Sequence, residues 1–238
     1  TLGAVRVTIQ TNGVAAVRAT TCVFEDSTLA RLVAEDAVDA LSMTPEAFAA
    51  GDIPIWVVRS GRGWGKTETG CQWLGQEAAS FSSHYAAIAP TGHDVRYTLF
   101  EGVSGFLRVI PEELIVEHNK ALPSLTLWNG SVIRGFSADV PERFRGPQHA
   151  KVLADEIASW VYPEESWDNI MFGLRLGDSP QMAVVGTPKA TQFIRDLMKR
   201  KDVVVTVGST YENKENLPDD FFTAIGKYEG TKIGRQEI

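Results

Sequence analysis

The chain has 238 residues, a hydrophobic fraction of 44% and a formal net charge of −7 at pH 7, which is an ordinary composition for a globular domain with a substantial core. The negative charge excludes a surface that is basic throughout and coated for nucleic acid, although it allows a local basic strip. No apolar run approaches the length of a membrane span, and the first residues lack the pattern of a secretory signal.

The N-terminal part predicts a small β-ribbon followed by helix. Apolar and polar residues alternate over residues 1–25 around an Asn-Gly pair at positions 12 and 13, which favours a tight hairpin turn. Residues 28–41 then carry apolar side chains at helical spacing. We therefore expect a ribbon and helix over residues 1–44 and one larger domain over residues 45–238.

The remainder of the chain alternates strands with helices. Strands are predicted at 53–58, 85–89, 125–128, 131–134, 151–156, 182–185 and 203–207. Helices are predicted at 68–79, 94–109 and 191–201, with another after the tryptophan-rich stretch 160–167 that runs through 176. This order is typical of an α/β fold with a mainly parallel sheet and helices on both faces.

The central motif is a glycine-rich turn between the first of these strands and its helix. It reads Ser60-Gly61-Arg62-Gly63-Trp64-Gly65-Lys66-Thr67. Strand, glycine-rich turn, Gly-Lys-Thr and helix in this order form a phosphate-binding loop, in which backbone N–H groups and the helix N-terminus surround a polyphosphate. We expect Lys66 to reach the β- and γ-phosphates of a bound nucleotide and Thr67 to take a site on Mg²⁺.

One position departs from the usual pattern of such a loop. The pattern places a glycine six residues before the lysine, where this chain has Ser60, and the glycine comes one place later at Gly61. The alternative is a glycine-rich linker that contains Gly-Lys-Thr by chance. The apolar strand before the motif and the helix after it favour nucleotide binding instead.

An acidic pair follows a later strand of the predicted core. Asp155 and Glu156 end the apolar run that begins at Lys151, about 90 residues after Lys66. An aspartate in this position can hold Mg²⁺, and the adjacent glutamate can polarise a water against the γ-phosphate. An acidic pair alone occurs by chance at many strand ends, so the prediction depends on its place in the sheet.

The next core strand ends in Gly186-Thr187-Pro188. Ligands of α/β proteins gather at the carboxyl ends of parallel strands. We therefore expect Thr187 to lie on the γ-phosphate side of the site. An ordinary strand-to-loop turn is the alternative.

Several arginines are candidates for contacts with phosphate. Arg62 or Arg59 could touch the γ-phosphate within the same subunit, and Arg143 or Arg145 could reach a neighbouring subunit from the loop before the acidic strand. Solvated loop charges are the alternative. A basic cluster near the end of the 191–201 helix either complements the helix dipole or contacts DNA; it consists of Lys189, Arg195, Lys199, Arg200 and Lys201. The two cysteines and four histidines lack metal-ligand spacing, which argues against zinc.

In combination, these motifs resemble the ATPase domain of tailed-phage terminase large subunits, the DNA-packaging motors. The resemblance covers roughly residues 50–235 and depends on residues 60–67, 143–146, 153–158 and 185–188, with a further Ala-Pro-Thr at 89–91. A phosphate loop that contains arginine and has a displaced first glycine is typical of that family.

The resemblance implies an additional-strand P-loop ATPase that uses ATP and Mg²⁺. Lys66 and Thr67 would then bind the phosphates and Mg²⁺. Asp155 would bind the metal as well, and Glu156 would be the catalytic base. Residues 186–188 would couple hydrolysis to movement, and Arg145 would act on the neighbouring subunit. The family also implies partners and a location: double-stranded DNA, the portal of the prohead, a terminase small subunit and a homo-oligomeric ring, in the host cytoplasm and transiently at the portal, with no membrane involved. Terminases usually carry a nuclease domain after the ATPase, and we expect it to be absent from this chain, which we interpret as a fragment of a longer protein.

Two other functions remain open at this stage. A helicase or another nucleic-acid translocase has the same core, and would show ATP hydrolysis stimulated by DNA with strand unwinding. A nucleotide-binding regulatory or assembly protein would hydrolyse nothing. The presence of both Lys66 and Glu156 disfavours that second alternative.

Overall fold

The computed structural model of the chain describes residues 8–11, 17–20, 54–187, 189, 191–228, 230, 231 and 234. Strands β1 (Thr8–Thr11) and β2 (Val17–Thr20) pair antiparallel, which agrees with the predicted ribbon. Its Asn-Gly turn and the helix predicted over residues 28–41 lie outside the described residues. The division of the chain near residue 44 stays a prediction.

The main element is an eight-stranded sheet with the order β10-β3-β9-β8-β4-β7-β6-β5. The first six strands in this order are parallel, and β6 runs antiparallel to both of its neighbours. These strands are β3 (Ile55–Ser60), β4 (His84–Ala89), β5 (Ile115–Asn119), β6 (Ser124–Leu127), β7 (Val132–Ser137), β8 (Lys151–Asp155), β9 (Gln181–Gly186) and β10 (Val203–Gly208). The predicted α/β class and the mainly parallel sheet are therefore confirmed.

Helices cover both faces of this sheet. They are α1 (Lys66–Ser80), α2 (Gly92–Asp94) with a π-helical continuation (Val95–Phe100), α3 (Phe106–Val109), α4 (Pro163–Gly173), α5 (Gln192–Leu197) and α6 (Asp219–Gly226). Short 3₁₀ turns occupy Glu112–Leu114, Pro141–Phe144, Ile157–Ser159 and Thr210–Asn216. Within the described part of the chain, no helix is both long enough and apolar enough to cross a membrane.

The position of β9 identifies the type of fold. This strand lies between β3, which carries the phosphate loop, and β8, which carries the acidic pair. It is the additional strand that was expected. Its register places Gly186 beside Arg59, while Val185 lies beside Asp155. The carboxyl ends of the three strands therefore meet at one edge of the sheet, where ligands of such folds bind.

Two apolar cores lie on opposite faces of the sheet. Trp56 and Val58 belong to the core under α1, whereas Ile55 and Val57 belong to the core under α4 and α5. This alternation is the period of a strand that is buried on both faces. By the same alternation, Arg59 points to the α4 face and Ser60 to the α1 face.

Some predicted element bounds are wrong. The helix expected over 94–109 is broken by a turn at residues 101–105 that contains two glycines, which are poor helix formers. Val103, expected in its buried stripe, is 91% exposed. The helices expected to end at 176 and 201 end at Gly173 and Leu197. Strand β5 had not been predicted, because apolar and polar residues do not alternate over Ile115–Asn119. In the structure these residues are half-buried or exposed.

Candidate functional site

The phosphate loop, residues 60–67, connects the end of β3 to the start of α1. Gly63 and Gly65 have φ angles of 76° and 98°, a region that residues with a Cβ seldom adopt. Gly65 is the N-cap of α1 and provides no side chain there, so Lys66 and Thr67 begin the first turn of the helix. The first N–H groups of an α-helix have no partner within the helix, and at this end they favour an anion.

Lys66, Glu156 and Thr187 come together at the edge of the sheet. Lys66 Nζ lies 3.5 Å from Glu156 Oε1. The same oxygen accepts a hydrogen bond of 2.7 Å from Thr187 Oγ1, and Glu156 Oε2 accepts one of 3.2 Å from the Thr187 backbone N–H. The carboxylate is thus held from two sides, by Thr187 directly after β9 and by Lys66 in the first turn of α1. Thr187, expected on the γ-phosphate side of the site, contacts the Glu156 carboxylate directly. Its contact with phosphate stays a prediction.

The backbone of Glu156 is strained. Its φ of 48° makes it the one non-glycine residue with positive φ among those that the structure describes, which costs on the order of 1–2 kcal/mol. The Glu156 N–H donates to the Val185 carbonyl at 2.7 Å, and Trp160 Nε1 donates to the Asp155 carbonyl at 2.9 Å. These bonds fix the turn after β8 and direct the Glu156 side chain towards Lys66.

Asp155 and Thr67 form a second contact at the same edge. Thr67 Oγ1 donates to Asp155 Oδ1 at 3.3 Å. Asp155 is 3% exposed, and its burial raises its pKa to about 7, with a further increase from Glu156 and opposing effects of Lys66 and Thr67.

The groups around Asp155 do not fully compensate the negative charge of its buried carboxylate. The carboxylate oxygen and the Thr67 hydroxyl are ligands that suit Mg²⁺. No cluster of three or more His, Cys, Asp or Glu side chains that could hold a metal occurs in the described part of the chain. This fits Mg²⁺, which usually binds one or two protein groups together with water and substrate phosphates. Thr67 and Asp155 are therefore suitable residues to hold it.

The four candidate arginines are in different environments. Arg62 is an exposed residue of the phosphate loop. Arg59 lies on the opposite face of the sheet from α1, and its buried Nε has no hydrogen-bond partner among the described residues. Arg143 donates to Ser137 Oγ at 3.2 Å, and the exposed Arg145 donates Nε to Asn169 Oδ1 of α4 at 3.3 Å. Of the two arginines near the loop, Arg62 is therefore the better placed to meet phosphate.

The basic cluster near α5 is largely paired within the chain. Arg200 makes two hydrogen bonds to Asp202 at 2.9 and 2.6 Å, and Lys199 lies 3.7 Å from Asp196. Lys189 donates to Ser159 Oγ at 2.6 Å. These pairs support a local structural role for the cluster more than a contact with DNA.

The sequence did not point to the residues after β10 that contact the phosphate loop. Thr210 Oγ1 donates to the Arg62 carbonyl at 2.7 Å, and Asn213 Nδ2 donates to the Gly63 carbonyl at 2.6 Å. Polar residues in a loop carry no pattern that would identify such contacts. A weak signal exists in Trp64, because a large apolar side chain inside a glycine-rich loop needs a surface to bury it.

Comparison with known proteins identifies the family. A family model described as "Terminase large subunit, T4likevirus-type, N-terminal" matches residues 58–237, which is more than half of the chain. No curated protein sequence matches the chain significantly.

Solved structures of phage terminases share the fold. The large terminase ATPase domain of Thermus phage P74-26 is 17% identical, with 78% of this chain and 87% of that chain covered and a TM-score of 0.58. A large terminase from a thermophilic bacteriophage is 12% identical with a TM-score of 0.65, and a structure of the same terminase in complex with ADP gives 0.63. In both comparisons with this second terminase 79% of this chain is covered, and the match spans about half, 48%, of the other chain. The chain therefore belongs to the terminase large subunit family and has the fold of its ATPase domain, as the motifs predicted.

Proposed function

We propose that this chain hydrolyses ATP with Mg²⁺ and uses the energy to move double-stranded DNA into a viral prohead. The family is that of phage DNA-packaging motors, which supports the general function. The observation that carries the proposal is the contact of Lys66 with Glu156 beside the pair of Thr67 and Asp155, at the end of a glycine-rich loop. A lysine for phosphate, two oxygen ligands for a metal and a carboxylate base are the parts that phosphoryl transfer to water needs.

In this proposal each of these residues has a separate task. Lys66 leaves Glu156 and binds the β- and γ-phosphates, since a polyphosphate offers it more negative charge than one carboxylate. Thr67 and Asp155 hold Mg²⁺, which supplies charge neutralisation on the phosphate oxygens. Glu156, still held by Thr187, orients the attacking water and takes its proton.

Two arginines complete the proposed site. Arg62, exposed in the phosphate loop, is the candidate for a contact with the γ-phosphate in its own subunit. Arg145, exposed beside α4, is the candidate to reach the site of a neighbouring subunit in a ring. A guanidinium in that position stabilises the charge that develops during phosphoryl transfer.

The proposed cofactors and partners have further support. The large terminase of the thermophilic bacteriophage, which shares this fold, has been solved with ADP, which favours an adenine nucleotide here. Double-stranded DNA, the portal and prohead, and a small subunit are the partners that we propose from the packaging function. The chain would act in the cytoplasm of the infected host and, transiently, at the portal. A ribbon and helix over residues 1–44 and an ATPase domain from residue 45 remain our proposed division.

A measurement of ATP turnover separates this proposal from the alternatives. The rate of phosphate release should be low for the chain alone and highest when both DNA and proheads are present, without strand unwinding. Stimulation by DNA alone with unwinding of a forked duplex would indicate a helicase. No turnover in any mixture would indicate a regulatory protein. Lys66→Ala, purified in parallel, measures the contaminating activity.

A further inference from the structure

We infer that residues 208–217, here called the clamp segment, position the phosphate loop in the conformation that binds a polyphosphate. The clamp segment comprises the end of β10, the 3₁₀ turn Thr210–Asn216 and Leu217. It contacts several consecutive residues of the loop from the side away from β9. The inference is based on the proposed nucleotide site, and it adds residues to it that the motifs did not indicate.

Two hydrogen bonds fix the directions of loop carbonyls. Thr210 Oγ1 donates to the Arg62 carbonyl at 2.7 Å and Asn213 Nδ2 donates to the Gly63 carbonyl at 2.6 Å. In a planar trans peptide the C=O of one residue and the N–H of the next point in opposite directions. Turning the two carbonyls towards the clamp segment therefore turns the next two N–H groups, of Gly63 and Trp64, away from it. Those are the groups that a phosphate loop offers to its ligand.

The Trp64 side chain adds a third connection. It is 6% exposed, and its Nε1 donates to Glu212 Oε2 at 3.0 Å. Gly208 lies so close that a Cβ at that position would collide with the Trp64 indole ring. In addition, the Gly61 N–H donates to the Gly208 carbonyl at 3.2 Å. The Trp64 side chain thus anchors the loop on the clamp segment. Because that side chain is buried, Trp64 can contact a nucleotide only through its backbone.

Two of the residues that make these contacts lie at or near the surface. Glu212 is exposed and Asn213 half-buried, so their loss should leave the core of the protein intact. The loop without them would sample other conformations, since its glycines allow many. If only a fraction of molecules has the competent conformation, the apparent dissociation constant rises by the inverse of that fraction.

Calorimetric titration with AMP-PNP and Mg²⁺ tests this inference. Asn213→Ala and Glu212→Ala should each raise the dissociation constant about 5- to 20-fold, as expected if about 5–20% of loops remain competent. At saturating ATP, kcat should change less than about twofold, because the hydrogen bonds that these variants remove go to Gly63 and Trp64 and not to the proposed base Glu156. Glu212→Gln should bind like the parent protein, since its amide oxygen can still accept from Trp64.

Glu113→Ala is the matched control for Glu212→Ala. Glu113 is an exposed residue of the 3₁₀ turn Glu112–Leu114, which leads into β5 at the opposite edge of the sheet from β10. It should keep parental affinity. Equal AMP-PNP affinity of Asn213→Ala, Glu212→Ala and the parent would overturn the inference. Failure of the parent protein to bind AMP-PNP would overturn the proposed function and the inference together.

Hydrogen exchange gives a second readout that a merely structural contact would not change. Coupling between two sites is reciprocal, so AMP-PNP should slow amide exchange in residues 208–217 as well as in residues 60–67. In Asn213→Ala this protection of the clamp segment should be reduced. Protection of the loop alone in the parent protein would contradict the inference.

Discussion

Replacement of Thr187 tests how the proposed base is held. Thr187 donates to Glu156 through its hydroxyl at 2.7 Å and its backbone N–H at 3.2 Å, while Lys66 lies 3.5 Å from the same carboxylate. When Lys66 turns to the phosphates of ATP, the two bonds from Thr187 remain to orient the base. Thr187→Val removes the hydroxyl, keeps the branched shape of the side chain and keeps the backbone N–H.

The expected magnitude follows from the bond that is lost. A hydrogen bond to a charged group contributes about 1.5–3 kcal/mol, which corresponds to about 10- to 150-fold in rate if it is fully used in the transition state. Because the backbone N–H still holds Oε2, we expect kcat to fall by about 10- to 30-fold. Thr187→Ser retains the hydroxyl and should stay within about threefold of the parent protein.

Steady-state release of phosphate from Mg²⁺-ATP, measured over a range of ATP concentrations, gives kcat and KM separately. The account predicts a lower kcat with little change in KM for Thr187→Val. Parental kcat in this variant would refute the assigned role of Thr187. A higher KM with unchanged kcat would indicate that Thr187 contacts the nucleotide, as the sequence alone suggested.

Three further predictions address phosphate binding, subunit cooperation and stability. Lys66→Ala should weaken nucleotide binding and abolish turnover together, because its charge compensates the phosphates before and during transfer; unchanged ATP affinity by calorimetry would contradict this. Arg145→Ala and Glu156→Gln should each be inactive, yet mixed assemblies should regain hydrolysis if Arg145 acts on the neighbouring subunit, where such a residue contributes about 10³–10⁵ in rate; no recovery in confirmed mixed assemblies would exclude that role. Burial, with smaller effects of His84 and Arg134, lowers the pKa of His149 from 6.5 to about 4, so the unfolded chain binds its proton first and stability falls as the pH decreases from about 6.5 to 4. Between about pH 7 and 4.5 the free energy of unfolding, measured with urea, should decrease by about 2 kcal/mol less in His149→Gln than in the parent protein. Substitution of an exposed histidine, His93→Gln, is the control and should not reduce this decrease.

The sequence predicted the strands around the site well because their signals are strong. The apolar runs before Ser60, Asp155 and Thr187 are short, buried on both faces and bounded by turn residues, which is how parallel strands are recognised. Their order in the chain, together with the family resemblance, was enough to bring Lys66, Asp155 and Glu156 to one edge. The structure agrees with that arrangement.

Other parts depend on contacts that are distant in sequence. The hydrogen bond between Thr187 and Glu156 depends on the positive φ of Glu156 directly after β8, which no local sequence pattern predicts. The hydrogen bond from Asn213 to Gly63 of the phosphate loop joins residues 150 positions apart. In the same way, Arg59 and Arg62 are both arginines near the start of the motif. Arg59 lies within β3 and faces the α4 side, whereas Arg62 lies in the loop after the strand and is exposed.

The rate of a single turnover in Glu156→Gln tests the central claim most directly. The substitution removes the carboxylate charge but keeps the size of the side chain, so ATP affinity should stay within about threefold of the parent protein by calorimetry. The rate of phosphate formation from bound ATP should fall by about 10²–10⁴-fold, the usual contribution of a positioned general base. Glu165→Gln, a change at an exposed residue in the first turn of α4, should hydrolyse at the parental rate. Hydrolysis by Glu156→Gln at the parental rate would contradict the account.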